Sequence, residues 1–533
     1  MSLTNPEKTV NPASITNAGR ELNELVSNQP EWFISEDGRG PVEVNRTEFD
    51  FSVAHGRLIF SCWTEQGSRA WRITAWNWSG DKLSLQTSRR MGAEVTTIAL
   101  VPRASAKALV ASIAAARQAR CERLAHLVAQ TSVCDSSTDD HRLKSVPPAR
   151  IERAVLSPGM RRDQPGRYAR IILRLPRECI AVTATVAQSD PRNVDSLFSS
   201  ALLWFTRVQS SPKRPYLTRL LMVVERNVLE AARQRHVLLR DSLRRQIELF
   251  EIDDEWTSVE ATSPWERKYL WRNRLTRFPP VHDDEPGDRV KQIVAEAPEA
   301  IDVVRARHGQ TLRFHGMPFA RVRRVMDRDR VWFGIEGSRR RSLDEHHQRD
   351  WTKLLRDLQA YRTESCRDRR HWFYRAAGEA WLESILRRDI SKLDPGLIVA
   401  PLHAQFRTSQ GGATRGGGAR PIDLLALRHD GRLAVIELKV NEDREHVFQG
   451  IDYWRRVEAH RRRGHISAAK LFGEREISDE SPLVYLVAPA LRFHPSFATL
   501  AKTIAPDIEI YRFDINEDWR AGVRVVRRDR VNP

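Results

Sequence analysis

The stretch Pro421-Ile-Asp-Leu-Leu-Ala-Leu-Arg-His-Asp-Gly-Arg-Leu-Ala-Val-Ile-Glu-Leu-Lys-Val440 constrains this chain more than any other part of it. Asp430-Gly431 between two apolar runs is a hairpin signal, because such turns need the positive φ that Gly supplies. Ile422–Arg428 and Arg432–Val440 are therefore expected as adjacent antiparallel strands. Side chains alternate along a strand, so Glu437 and Lys439 point to one face. An Asp at the start of one strand and a Glu-x-Lys near the end of its neighbour converge at one end of the hairpin. Asp423, Glu437 and Lys439 thus gather two carboxylates and an ammonium, a site for a hard cation with a positive charge beside it. Such a cluster suits phosphodiester hydrolysis. The carboxylates hold Mg²⁺ or Mn²⁺, which polarises the phosphate, and the Lys orients water or neutralises charge growing on phosphorus. Glu-x-Lys alone is an ordinary strand ion pair. The specificity lies in the ordered whole.

At these residues the chain resembles the PD-(D/E)XK nuclease superfamily, and most of all NucS-type and RecB-like catalytic domains. The family's Pro-Asp is Pro-Ile-Asp here, a variant that keeps the Asp. The resemblance covers residues 346–520 and implies a restriction-endonuclease-like αβββαβ core. It also implies a metal-binding Glu on the helix before the sheet. Glu383 in Glu379-Ala-Trp-Leu-Glu383 is the better match, with Glu379, one turn earlier, as the alternate. The RecB-like Gln-x-x-x-Tyr on the helix after the Glu-x-Lys strand falls at Gln449-Gly-Ile-Asp-Tyr453. The implied metal ligands are Glu383, Asp423 and Glu437, with Lys439 catalytic and Gln449 positioning Lys439 or the substrate. The expected partner is DNA, with RNA left open. Arg420, Tyr453, Arg455, Arg456, Arg461, Arg462 and Arg463 are its expected contacts, and a homodimer is compatible with the pattern. The rival reading is a non-catalytic clamp that uses the same fold to grip nucleic acid.

The rest of the chain is expected to serve that domain. With 533 residues it has room for two to four domains at ~100–200 residues each. An α/β multidomain protein is the expectation. Residues 1–29 read as a polar tail, and 30–131 as a β-meander or barrel followed by a helix. Residues 132–148 read as a linker, 149–256 as an α/β domain, and 257–345 as a connecting region with a helix near Val290–Arg307 and short strands. The formal charge of +18 favours a polyanionic partner. No run reaches the ~18 apolar residues that a membrane helix needs. Five scattered cysteines leave no disulfide framework or CxxC metal site, which fits a cytoplasmic protein.

Residues 168–256 can also be laid along 419–519 with small gaps. Ile180-Ala-Val182 faces Leu433-Ala-Val435, and Phe198 and Trp204 face Phe448 and Trp454 at an offset of 250. The charged positions do not carry over: Leu173 stands opposite Asp423, Thr183 or Ala184 opposite Glu437, and Thr185 or Val186 opposite Lys439. Two readings stand: a degenerate copy of the nuclease fold, or the loose match that any strand–helix–strand run gives another. Trp71, Trp76 and Trp78 alternate in the β-meander and are expected in its packing, with base stacking as the lesser reading.

Overall fold

The computed structural model describes residues 8–9, 15–36, 42–54, 56–64, 67–79, 82–88, 95–103, 107–131, 149–159, 165–176, 178–187, 191–211, 217–253, 256–272, 275–278, 286–306, 309–325, 328–335, 341–406, 408 and 421–533. The linker at 132–148 and the Gly-rich loop at 411–420 therefore lie outside the described residues. The chain divides into two compact units, one of residues 1–173 and 184–189, the other of 174–183 and 190–533. It is mixed α/β and multidomain. No described helix is long and apolar enough to cross a membrane.

The first unit is built on an antiparallel sheet. Its strands run in the order Val42–Asn45, Glu31–Glu36, Val95–Pro102, Lys82–Ser88, Gly67–Ser79, Arg57–Thr64 and Phe49–Ala54, with Lys8–Thr9 beside Gly67–Ser79. Alternating apolar residues put Phe49, Phe51, Leu58, Phe60, Trp71 and Ile73 on one buried face. The helix Ile15–Ser27 packs there through Ile15, Leu22 and Val26. The polar tail expected up to residue 29 is thus half a structural element: its apolar residues are few but spaced at helical intervals, so they form one stripe. Trp71 stacks on Phe60 at 5.5 Å, Trp76 is buried, and Trp78 meets Trp32 edge-on at 6.3 Å. These rings are core. The unit also contains the helix Lys107–Gln130 and the strands Arg150–Leu156 and Tyr168–Arg174.

The second unit holds two α/β lobes. The first has β1 (Cys179–Thr185, of which residues 179–183 fall in this unit), α1 (Val194–Gln209), β2 (Leu217–Glu225), α2 (Arg226–His236), β3 (Ile247–Ile252) and β4 (Val259–Ala261). The second has α3 (Gly378–Arg388), β5 (His403–Phe406), β6 (Ile422–Leu427), β7 (Leu433–Leu438), α4 (His446–Arg461), β8 (Leu483–Pro489), α5 (Phe497–Ala501), β9 (Ile510–Ile515) and β10 (Val525–Arg530). Strand order in the second sheet is sequential from β5 to β10. β5, β6 and β7 pair antiparallel, β7, β8 and β9 parallel, and β10 returns antiparallel. The first lobe shows the same succession: β1 lies beside β2, β2 and β3 are parallel, and β4 is antiparallel to β3. A helix follows the first and second strands of each set. Leu220 N donates to Gln246 O at 2.8 Å, and Val484 N donates to Glu509 O at 2.9 Å, as corresponding bonds of the two parallel pairs.

Between the lobes in sequence lies a third sheet, where a connecting region was expected. Ile301–Ala306, Gly309–Phe314, Met317–Val325, Arg328–Phe333 and Arg341–Ser342 form a sequential antiparallel meander. The helix expected over Val290–Arg307 occupies only Asp288–Ala295, and Ile301-Asp-Val-Val goes into a strand. β-Branched residues favour the pleat, and the Ala297–Ala300 turn separates the two. Val290, Leu312, Phe314, Phe319, Trp351 and Leu355 share its core.

Helices α1 and α4 pack together, with Phe198 against Phe448 at 5.8 Å between ring centroids. Arg235 of α2 is buried, and bonds Asp195 of α1 and Asp452 of α4, each at 2.9 Å. Burial works against the Asp452 charge, but Arg235, then Arg455 and Arg456, outweigh it and hold that carboxyl well below its ordinary range. A buried ion pair broken on one side leaves an uncompensated charge. Replacing Arg235→Met should therefore lower unfolding stability by roughly 3–5 kcal/mol in urea titration. A change within error would mean that this bridge does not hold the lobes together.

Candidate functional site

The hairpin that builds the site turns at Gly431, whose φ of +80° is the left-handed conformation the Asp-Gly signal requires. Backbone pairing of β6 and β7 runs from Leu427 opposite Leu433 to Leu424 opposite Ile436. One step further, the same register sets Asp423 opposite Glu437. There the ladder gives way to a side chain: Leu438 N donates to Asp423 Oδ2 at 2.9 Å. β7 continues on its other edge, where Lys439 N donates to Val487 O.

Alternation then separates the two faces of the sheet. Leu424, Ala426, Ala434, Ile436 and Leu438 pack with Trp381 and Leu382 of α3. Leu425, Leu427, Leu433 and Val435 pack with Tyr453 and Val457 of α4. Asp423, Glu437 and Lys439 continue the second set. Gln449 lies on α4 one turn before Tyr453 and is buried.

The expected charged cluster is therefore assembled. Lys439 Nζ lies 3.0 Å from Glu437 Oε1, 3.3 Å from Asp443 Oδ2 and 4.0 Å from Glu379 Oε1. Glu437 is buried, and its second oxygen, Oε2, has no hydrogen-bond partner. Burial, then the Asp423 charge, pushes the Glu437 carboxyl well above its ordinary range, against the pull of Lys439. Burial also pushes Asp423 up to about 6, with Glu379 and Glu383 adding to the rise and the Leu438 amide and Lys439 opposing it. Lys439 loses by burial, but Glu437, Glu379, Asp443 and Asp423 together hold it charged. Tyr453 is raised by burial and then by Glu437 and Asp423, so its hydroxyl keeps its proton. His446 is pushed down to about 3 by burial and then by Lys439, and is a neutral imidazole.

Two members of this cluster carried no motif in the sequence. Asp443 follows Lys439 by four residues and closes an ion pair with it. His446 opens α4 and meets the Glu437 carbonyl at 3.3 Å. The acid residues of α3 divide their roles. Glu379 is the one that approaches Lys439, whereas Glu383 is buried against Arg313 at 3.4 Å. Arg313 comes from the five-stranded sheet, so nothing near Glu383 in sequence signals it.

The position of α3 is fixed from outside its own sheet. Arg362 is fully buried and donates to the carbonyls of Phe314, His315, Phe373, Ala376 and Ala377. A planar guanidinium with five donors can serve such a ring of acceptors; an ammonium cannot. Gly316 lets the meander come so close to α3 that a Cβ there would lie 1.9 Å from Ala380 O.

The basic run on α4 is placed otherwise than as a solvated stripe. Arg455 and Arg456 are bound by Asp452, and Arg456 also donates to Thr408 and lies over the Tyr453 ring. Arg461 and Arg462 are bound by buried Glu458, and Arg463 donates to the carbonyls of Ala459 and Trp271. Asp452 and Glu458 sit one helical turn before these arginines, where (i, i+3) and (i, i+4) pairs form. Of the five, Arg462 is half exposed and Arg461 is 10% exposed. Arg420 lies outside the described residues.

The donors at the site are all oxygen, which suits Mg²⁺ or Mn²⁺. Paired carboxylates with one buried oxygen unsatisfied form an anionic pocket that a divalent cation would complete. Among the described residues, no three or more His, Cys, Asp and Glu gather as a ready metal cage. With Glu383 turned toward Arg313, the acids that approach Lys439 are Glu437, Asp443 and Glu379, and Asp423 stands opposite Glu437 in the hairpin register. Compared with protein-family models, with curated proteins and with solved structures, the chain finds no match.

The raised Asp423 carboxyl has a pH consequence. Its folded value exceeds its unfolded one, so the metal-free fold is penalised above about pH 6 and relieved below about pH 4. In EDTA, Asp423→Asn should melt at higher temperature than the parent at pH 7.5, and the gain should vanish near pH 4. A lower melting temperature at pH 7.5 would show that the carboxylate is not strained there.

Proposed function

We propose that the chain is a metal-dependent nuclease that hydrolyses phosphodiester bonds in DNA. The observation that carries this reading is the convergence of Asp423, Glu437 and Lys439 at the open end of the β6–β7 hairpin, with Glu437 Oε2 buried and unpartnered. Further support comes from the element succession from α3 through β5, β6, β7 and α4 to β8, which is the αβββαβ order of the PD-(D/E)XK resemblance.

In this reading Asp423 and Glu437 hold the cation, with Glu379 or Glu383 completing the acid set. The bound ion supplies charge neutralisation at the phosphate and a more acidic water. Lys439 keeps its proton at every physiological pH, so it orients water or offsets developing negative charge and does not serve as a base. Asp443, bound to Lys439 Nζ, fixes where that ammonium points. Tyr453 lies near both carboxylates from the α4 side, with buried Gln449 one turn earlier on the same helix.

The non-catalytic clamp has less beneath it. A clamp needs cations free to meet phosphates, and four of the five arginines of the α4 run are bound to Asp452 or Glu458. It also gives no reason to bury two carboxylates against each other.

Lys439→Ala and Glu437→Gln should each reduce cleavage of supercoiled plasmid in Mg²⁺ or Mn²⁺ by at least ~10²-fold, the scale of losing one group that stabilises transition-state charge. Arg463→Ala should retain most of the activity. Full activity of Lys439→Ala, in a protein with a parental circular-dichroism spectrum, would remove the assignment.

A further inference from the structure

The two lobes of the second unit touch through corresponding residues. Phe198 and Phe448 occupy equivalent places in α1 and α4, and their rings are in contact. The segments after α2 and α5 meet likewise: Leu239 and Ile504 form an antiparallel bridge. Arg240 N donates to Thr503 O at 2.8 Å, and Ala505 N donates to Leu238 O at 3.0 Å. A residue meets its own counterpart only where two copies are related by a two-fold axis, which is the geometry of an isologous dimer. Two separate pairs of counterparts do so here, one between helices and one between backbone segments.

Only one copy is equipped for chemistry. The residues aligned with Asp423, Glu437 and Lys439 are Leu173, Thr183 or Ala184, and Thr185 or Val186, none of which carries a charge. Leu173, Ala184 and Val186 are buried and apolar.

We infer that residues 179–261 stand where a second subunit would stand, so that the chain is a built-in dimer with one working site and cuts one strand of a DNA duplex at each encounter. The inference rests on the nuclease reading above. Each turnover adds one water across one P–O bond, leaving a phosphate monoester on one fragment and a hydroxyl on the other. The second strand runs antiparallel, and a two-fold pair would present the degenerate copy to it. The face that a homodimer of these domains would use is filled by the chain's own first lobe, which replaces the homodimer that the sequence left open.

The test is the time course of the full-length chain on supercoiled plasmid in Mg²⁺, with DNA in excess over protein. Open circles should accumulate to nearly all of the substrate before linear DNA appears, and linear DNA should then grow only as random second nicks coincide. Linear product formed from the start, with no build-up of open circles, would overturn the inference and leave the nuclease reading standing. No cleavage in Mg²⁺ or Mn²⁺ would remove both. A built-in dimer also makes each chain independent. A tenfold excess of the Glu437→Gln protein, with DNA still in excess, should leave the parental nicking rate per molecule unchanged. A dominant loss of activity would show that two chains share the work.

Discussion

Buried Glu437 and half-buried Asp423 repel each other across the hairpin and forgo hydration, and among the described residues Lys439 is the cation beside them. Everything around the β6–β7 hairpin is arranged to keep them there. The register sets Asp423 opposite Glu437, and the Leu438 amide bonds the Asp423 carboxylate instead of a backbone oxygen. Tyr453 and His446, both uncharged, close the pocket without supplying a counter-ion. A sheet end that served only for stability would be better filled with apolar residues of the same volume, which often cost less than buried ion pairs. Strain of this kind, kept in place by well-packed surroundings, is typical of groups selected for chemistry.

The surroundings reach far along the chain. The five-stranded meander contributes Arg313 to Glu383 and the Phe314 and His315 carbonyls to Arg362, so it sets both the charge partner and the docking of α3. On the other side, α4 sets Tyr453 near Glu437 and Asp423 and carries Asp452 out to Arg235 of the first lobe. One helix therefore joins the site to the lobe pairing. That pairing joins two lobes with a like succession of strands and helices, and the acids Asp423 and Glu437 lie in the second of them.

Much of this was legible in the residues. The Asp-Gly turn and strand alternation fixed the hairpin and the convergence of Asp423, Glu437 and Lys439, since both depend on neighbours close in sequence. The two hairpin strands lie within two residues of their expected bounds. What escaped depends on distant contacts. The motif favours Glu383 over Glu379, yet Arg313, 70 residues away, holds Glu383, and it is Glu379 that approaches Lys439. The α4 arginines read as a cationic surface in sequence, yet Asp452 and Glu458 at helical spacing bind four of them. The Ile15–Ser27 helix, and the joining of the short strands expected in 257–345 into one five-stranded sheet, escape the sequence for a simpler reason. Their apolar residues are sparse in sequence and become a core only when other elements cover them.

The central claim is that Asp423 and Glu437 share a pocket held for a divalent cation, and proton release on metal binding tests it most directly. Calorimetric titration of Mn²⁺ at pH 6 to 7, in buffers of different ionisation enthalpy, measures both the binding and the protons displaced. Carboxyls raised as these are should bind one Mn²⁺ per chain and release a fraction of a proton or more, with release falling as the pH rises. Both signals should be absent from Asp423→Asn. Binding without proton release, or binding that survives Asp423→Asn unchanged, would contradict the account and place the metal elsewhere.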